Sequence, residues 1–510
     1  MATPTSPPTA DAASHAPSGV SRLLAFTRSQ EARPALLGFL GAWLITLGGL
    51  GAGSTRLHDP LLESLHLSWL RFGHGLVVSS ILLWGGVAVM LYSWLWLGRR
   101  VVDRTASEYT MVATTGFWLA PLLLSVPVFS RDTYSYLAQG ALLRDGLDPY
   151  VVGPVDNVNS LLDNVSPIWT TTTAPYGPAF IMVAKFVTLV VGEDVVAGTM
   201  LLRLCMLPGL VLLIWAAPRV ARRLGANGAA ALWICVLNPL VIIHLMGGVH
   251  NEMLMVGLMM AAIALTLADR PAWGVSLIAL AVAVKATAGL ALPFMVWMWM
   301  HRLQARRDLG AVRAFSIATA ASAAIFVLVF AVVSLLAGVG LGWLTALAGS
   351  VKIINWLTLP TAAANLVNAV VGLVVPVNFY AVLEVTRIIG IAVIAIALPL
   401  LWWRFRHDDR EALTGIALAM LVVVLFVPAA LPWYYTWPLA VVSVLAQTRG
   451  AIALIAGFST WIMVIFKPDG SHGMYSWLHV LLATALAVAA WYSLSRAREP
   501  ESVGHGLSAP

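Results

Sequence analysis

The sequence predicts an all-α polytopic membrane protein, and three observations carry that reading. Hydrophobic residues make up 60% of the 510 residues and charged residues only 10%. Apolar runs of roughly 20 residues, the length that crosses a bilayer as a helix, recur from Ala35 to the C-terminal region. The basic residues gather in short clusters at the ends of those runs. No soluble domain of ordinary size fits between them. The net charge of +7 therefore reflects topology, and no continuous basic patch points to nucleic acid. Cys205 and Cys235 both lie within apolar runs, so no disulfide framework is expected.

Taken in order, residues 1–33 read as a disordered cytoplasmic tail. Residues 1–20 are rich in Pro, Ala, Ser and Thr and lack a basic segment leading into an apolar one, which argues against a cleaved signal peptide. Residues 34–106 hold two N-terminal transmembrane helices, near 35–53 and 76–98. A core follows at 107–403, with spans near 107–129, 195–217, 229–246, 253–268, 314–337 and 380–403. It encloses a first external loop, 130–194, and a second, 338–379. Residues 404–496 carry the C-terminal transmembrane helices, near 411–430, 434–447, 450–466 and 477–494, and 497–510 form a second disordered cytoplasmic tail. No internal repeat of fixed period is present.

Two segments are decided by charge. Counting 176–192 as a crossing would put Arg219, Arg222 and Arg223 on the side of the Asp132 loop, so this run is read as an interfacial helix. The run 274–300 is flanked by Arg270 at one end and by Arg302, Arg306 and Arg307 at the other, so both ends read as cytoplasmic. Two half-length helices folded back around Lys285-Ala286-Thr287-Ala288-Gly289, a re-entrant helical hairpin, satisfy that constraint. With these choices twenty of the 30 Lys and Arg fall on the cytoplasmic side, seven outside, and Arg203, Lys285 and Arg387 within spans. The asymmetry predicts about 12 crossings with N- and C-termini cytoplasmic. Both long loops then face outward, with residues such as Trp343, Leu344, Trp356 and Leu357 forming interfacial helices.

Unusual polarity collects at that external face. Asp132 opens a helical stretch in Ser130-Arg131-Asp132-Thr133-Tyr134-Ser135-Tyr136. An acidic residue at the lip of a membrane is a candidate catalytic base, because a carboxylate near membrane depth is costly and is retained mainly for function. The alternative is an N-cap, for which Asp is well suited. Tyr134 and Tyr136 beside it suit ring stacking. Gly146-Leu147-Asp148-Pro149-Tyr150 and Ala174-Pro175-Tyr176-Gly177-Pro178 are ordered turns. Asn238-Pro239-Leu240 through His244, then Gly248-Val249-His250-Asn251-Glu252, end one span and begin the next, bringing His250, Asn251 and Glu252 to the same face; the alternative is a hydrogen-bonded helix turn. Lys285 lies within an apolar run, where a lysine costs about 2.5–3.5 kcal/mol even on an insertion scale. It needs an anion: a phosphate, or a carboxylate such as Glu252 or Glu384. Arg203 and Arg387 either snorkel or join that anionic site. Leu431-Pro432-Trp433-Tyr434-Tyr435 gathers aromatics of the kind that form an interfacial belt or stack on a sugar, and Lys467 to Gly473 adds a cation and His472. Walker, dinucleotide-binding and zinc-ligand motifs are all missing.

In order and spacing, these segments together with Val284-Lys285-Ala286-Thr287 resemble the actinobacterial polyprenol-phosphomannose-dependent α-1,6-mannosyltransferases, membrane glycosyltransferases of the GT-C class. The resemblance covers roughly residues 35–494 and makes 107–403 the GT-C catalytic core, with two extra spans ahead of it. It implies a polyprenyl-phosphate mannose donor and a lipid-linked α-1,6-mannan acceptor, as in lipomannan and lipoarabinomannan assembly, at the external face of the cell membrane. In such a donor the polyprenyl phosphate is itself the leaving group, so inversion needs one base and no general acid. The implied roles are Asp132 as base; Lys285, Arg203 and Arg387 on the donor phosphate; and Arg131, Tyr134, Tyr136, Tyr176, His250, Asn251, Glu252, Trp433, Tyr434 and His472 around sugar and acceptor. No cofactor is expected, since Asp132, His250 and Glu252 form a thin ligand set for a divalent ion. A transporter or flippase of lipid-linked sugars is the alternative in another class, and a GT-C enzyme with another sugar or acceptor the nearer one. A transporter calls for repeat symmetry and polar residues from both sides, whereas here they gather at one.

Overall fold

A computed structural model describes residues 19–347, 352–445 and 447–496. Among these residues the protein is helical throughout, with one isolated β-bridge between Phe466 and His472. Six helices are long and apolar enough to cross a membrane alone: Ala32–Ala52, Gly73–Val102, Val195–Arg223, Ala311–Ala337, Phe379–Arg404 and Trp477–Ser495. The pair Gly228–Cys235 and Pro239–Gly247, bent by 44°, would make a seventh. Other apolar runs form shorter helices, such as Glu108–Leu122, Glu252–Leu267 and Arg449–Ile465. The expected span at 434–447 is divided into a 3-10 turn, Pro432–Tyr435, and the helix Thr436–Val442.

The N-terminal tail departs from expectation over its described part. Residues 19–27 form a helix, Gly19–Thr27, because Phe26 has an apolar landing site between Tyr109, at 6.1 Å, and Phe117, at 6.2 Å. Residues 1–18 and 497–510 lie outside the described residues.

The two extra spans are bound tightly to each other and to the core. Gly41 and Gly86 let Ala32–Ala52 and Gly73–Val102 approach backbone to backbone, since a Cβ on Gly86 would stand 2.6 Å from the Gly41 carbonyl oxygen. Trp94 and Trp233 stack at 4.4 Å, and each indole N–H donates to the other residue's carbonyl, at 3.1 and 2.9 Å. Buried indoles are costly without such partners. Thr46 and Trp118 add cross-helix bonds to the carbonyls of Pro121 and Ala35.

Deeper in the core, Val195–Arg223 packs on Glu252–Leu267, where a Cβ on Gly209 would come within 2.6 Å of the Met253 carbonyl carbon. The chain then folds back on itself. Pro271–Val284 leads through the 3-10 segment Ala286–Ala291 into Leu292–Arg307, whose end returns to its start: Arg302 and Arg306 both lie 3.2 Å from the Asp269 carboxylate. Ala311–Ala337 packs along both arms. Lys285 sits at the far tip.

In the first loop, residues 133–142 of Asp132–Arg144 are buried against Pro178–Val191 and Val195–Arg223, whereas Pro178–Val191, over the run expected to be interfacial, leaves Phe186, Leu189 and Val190 exposed. In the second loop, Leu359–Val371 exposes Leu366 and Val370, the one-sided apolar face that an interfacial helix requires.

Candidate functional site

Three chain breaks build the site. The first is at Phe129, held at φ 67°, after which the chain reverses into Asp132–Arg144. Arg131, not Asp132, occupies the N-cap position, and the Asp132 amide donates to Ser130 Oγ at 3.1 Å. The Asp132 carboxylate is the first helical residue's side chain and caps nothing, so its cap reading is set aside. The second break is a π-helical segment, Ile242–Gly247, followed by Val249 at φ 59°. A β-branched residue in the left-handed region is strained, and strain of this sort gathers at functional sites. It turns His250, Asn251 and Glu252, all fully buried, toward the start of the Asp132 helix, and Thr133 Oγ1 clamps the turn through the Gly248 carbonyl at 3.0 Å. The third break is the hairpin tip.

These breaks bring Asp132, His250, Glu252 and Lys285 together. His250 Nδ1 lies 3.8 Å from Asp132 Oδ2 and 4.0 Å from Glu252 Oε2. Lys285 Nζ bonds Glu252 Oε1, the carboxylate partner considered from the sequence, and rests 4.5 Å from the Tyr434 ring and 5.3 Å from the Trp437 ring. Tyr176 joins them because Gly177 lies against the hairpin, its amide donating to the Val284 carbonyl at 3.2 Å; a Cβ there would stand 2.8 Å from the Ala283 Cα. Burial and the Glu252 charge raise the Asp132 carboxyl to about 7, with Lys285 and the Ser130 hydroxyl opposing. A carboxyl poised there can take a proton near neutral pH. Burial lowers the His250 imidazole, which is therefore neutral beside the two acids.

Asp132, Tyr176, Lys285 and Tyr434 line one cavity of about 140 Å³. Ser135, Gln139, Thr287 and Trp437 line it too, each with a buried polar atom that lacks a partner among the described residues. Unpaired buried donors and acceptors around a cavity suit a polyhydroxylated ligand. These four were not singled out from the sequence. Only spacing pointed to them, Gln139 following Asp132 at two helical turns and Thr287 lying two residues from Lys285. The cavity shares Ala286, Thr287, Leu347 and Val423 with an apolar groove of about 720 Å³ walled by Leu290, Phe294, Leu398 and Trp402.

Several expected site residues lie elsewhere. Arg203 is wholly buried and donates to three carbonyls, Met246 at 2.9 Å, Leu123 at 2.8 Å and Gly247 at 3.2 Å, so it braces the π-helical break instead of facing a phosphate. Arg387 stands behind the cavity wall, donating to the Ile353 carbonyl at 2.7 Å. Tyr134 is buried with its hydroxyl on the Ser54 carbonyl at 2.6 Å and cannot stack on a sugar. Tyr136 packs edge-on to Tyr176 and Phe180, its hydroxyl 3.5 Å from His250 Nδ1. Trp433 is buried and stacks on His250 at 3.8 Å, so that ring orients the imidazole. The Asn251 amide is buried with neither atom bonded among the described residues. Arg131 donates to the Thr55 and Asn164 carbonyls and lines a different cavity, while His472 packs between Phe466 and Tyr475, away from the Asp132 cavity. Among the described residues no set of three or more His, Cys, Asp or Glu has a metal-ligating arrangement.

An acid and a lysine lining a cavity that shares a wall with an apolar groove, with a neutral histidine buried beside the acid, define a polytopic membrane protein with an enzyme-like site. The chain belongs to the alpha-(1->6)-mannopyranosyltransferase family: residues 35–301 match its N-terminal domain profile, and residues 360–496 match the MptB C-terminal domain. It is 69% identical to alpha-(1->6)-mannopyranosyltransferase A of Mycobacterium tuberculosis over 506 residues, covering 99% of this chain and 98% of that protein. It is 36% identical to the Corynebacterium glutamicum protein of the same name, covering 87% and 94%. The protein is thus an enzyme of the α-1,6-mannosyltransferase type. Among solved structures, the oligosaccharyltransferase AglB of Archaeoglobus fulgidus aligns over 80% of this chain and 55% of its own at 14% identity and a TM-score of 0.36, too low to carry an argument.

Proposed function

We propose that the protein is an inverting GT-C-type glycosyltransferase that moves mannose from polyprenyl-phosphate mannose to a lipid-linked α-1,6-mannan, in lipomannan and lipoarabinomannan biosynthesis, with Asp132 as general base. One observation carries this reading: the cavity lined by the Asp132 carboxylate and the Lys285 ammonium adjoins an apolar groove, the two sharing Ala286, Thr287, Leu347 and Val423. A donor made of a sugar, a phosphate and an isoprenoid chain presents the same sequence of chemistries.

The acceptor hydroxyl oxygen attacks the anomeric carbon of mannose while the bond from that carbon to the phosphate oxygen breaks. Polyprenyl phosphate departs with the bonding electrons, and the hydroxyl proton passes to Asp132. Lys285 stands where the leaving phosphate gains charge, and its three N–H donors allow it to bind phosphate while keeping Glu252. His250, held by Trp433, places its Nδ1 3.8 Å from the base as a neutral polar neighbour. This reading takes no cofactor: the polyprenyl phosphate leaves without a general acid, and Asp132, His250 and Glu252 are a thin ligand set for a divalent ion.

The charge distribution supports an external site with both termini cytoplasmic. Arg302, Arg306 and Asp269, Arg222 and Glu108, and Arg449 and Asp103 pair at the ends of helices remote from the Asp132 loop. About 12 crossings with a re-entrant hairpin fit this arrangement, the shorter helices being completed by chain buried in protein.

The test is transfer from radiolabelled polyprenyl-phosphate mannose to a short α-1,6-mannoside by membranes carrying wild type or Asp132→Ala. Wild-type transfer abolished by the substitution is the expected result. Undiminished transfer by the variant removes the base assignment, and none by wild type removes the donor.

A further inference from the structure

A second cavity, of about 780 Å³, lies at the same end of the molecule, between the two N-terminal spans and the chain around Lys467. Arg131 lines it, one residue from Asp132, which lines the other. Its wall carries an imbalance of charge. The Asp59 carboxylate takes both Arg56, at 2.9 Å, and Arg71, at 2.8 Å, with side-chain exposures of 2%, 4% and 14%, so one acid serves two guanidiniums, and Arg71 also donates to the Arg56 carbonyl at 2.9 Å. Arg56 Nε is buried with no partner among the described residues. Among the described residues Arg131 hydrogen-bonds carbonyls alone, those of Thr55 and Asn164, each at 2.9 Å, and lies over the Tyr134 ring. The Lys467 ammonium makes no hydrogen bond or ion pair among the described residues. Two carboxylates also line the cavity: Asp163 is exposed, and Asp469 Oδ1 is engaged by the Ser471 amide and hydroxyl. A partly desolvated surplus of cations needs an anion.

The remaining wall says where that anion is attached. Phe72, Leu76 and Trp84 line it from the Gly73–Val102 helix and its approach, and Phe72, Leu76 and the neighbouring Ile81 are 71%, 41% and 66% exposed. A groove with guanidiniums at its head and an outward apolar helix face below matches a lipid with an anionic head. We propose that this cavity binds the phosphodiester head group of an anionic membrane phospholipid, with Arg56, Arg71 and Lys467 on the phosphate and the acyl chains along Leu76 and Ile81. The site is independent of the identity of donor and acceptor. Occupancy ties the loop carrying Arg131, and thus the start of the Asp132 helix, to the N-terminal spans.

Purified full-length protein in a neutral maltoside detergent is titrated with dioctanoyl phosphatidylglycerol, dioctanoyl phosphatidylcholine or inorganic phosphate, reading Tm and, by native mass spectrometry, the lipid-bound fraction. The anionic lipid alone should give a saturable rise in Tm with a bound stoichiometry of one. Lys467→Gln, which removes no internal contact, should keep the lipid-free Tm and weaken binding about tenfold, the equivalent of one charge-assisted hydrogen bond. Leu76→Glu, on the outward face, should weaken it further. Equal stabilisation by the zwitterionic lipid or by inorganic phosphate overturns anionic lipid binding, and so does wild-type affinity in both variants.

Discussion

His250 Nδ1 lies 3.8 Å from Asp132 Oδ2, although the two residues come from separate loops more than a hundred positions apart. The contact is not an ion pair. Burial keeps the imidazole neutral and makes the carboxyl a weak acid, and the hydrogen bond that Nδ1 does make is with the Tyr136 hydroxyl, at 3.5 Å. Trp433, stacked on His250, restrains the ring from its other face.

If Asp132 removes the acceptor proton, Asp132→Asn should lower kcat by about 10² to 10⁴, the usual range for general base catalysis. The wild-type rate should rise with pH and level off above about 7, where the carboxyl ionises. A wild-type profile flat between pH 5 and 8 would contradict the assignment.

The same substitution should act on stability with a definite sign. The folded-state pKa of Asp132 is raised, so its contribution favours folding fully below the ordinary value of 3.8 and is lost as pH rises through about 7. Asp132→Asn should therefore raise Tm relative to wild type more at pH 8 than at pH 5. Parallel melting curves at the two pH values would count against a desolvated carboxyl.

Lys285 and Glu252 form a pair with exposures of 12% and 0%. Breaking such a pair from one side typically costs about 3–5 kcal/mol. Lys285→Met should lower Tm and abolish transfer; adding Glu252→Gln should recover much of the Tm but not the transfer. Recovery of both would return Lys285 to a purely structural role.

Arg203 distinguishes a brace from a phosphate ligand. Arg203→Lys leaves the carbonyls of Leu123, Met246 and Gly247 short of donors, at about 1–3 kcal/mol for each group left unpaired. Tm should fall while the KM for donor in the folded fraction stays unchanged. An unchanged Tm with a raised KM would instead put Arg203 on the donor.

Metal removal is a direct check on the proposed chemistry. Transfer by protein dialysed against EDTA should match untreated protein, and added Mg²⁺ or Mn²⁺ should leave kcat unaltered. Activity lost to chelation and restored by a divalent ion would require a metal in the mechanism.

Helical class, the order of most apolar runs and the crowding of polar residues toward one face were legible in the sequence, because apolar length and charge at helix ends are local properties. The chain reversal around Lys285 was legible for the same reason: arginines flank both ends of that run, and in the structure Arg302 and Arg306 reach back to Asp269. The acids and cations of the site were conspicuous because such groups are costly in an apolar chain.

Which of them meet was a matter for the tertiary structure alone. Tyr134 and Tyr136 are two residues apart on one helix and so point to opposite sides, one to the Ser54 carbonyl and the other to His250. Arg203 and Lys285 look alike as buried cations, yet the Met246 and Gly247 carbonyls at the π-helical break and the Leu123 carbonyl claim the first and leave the second at the cavity. Residue type states the need for a partner; only packing in three dimensions determines which partner is within reach, and therefore which carboxyl stands ready to take a proton.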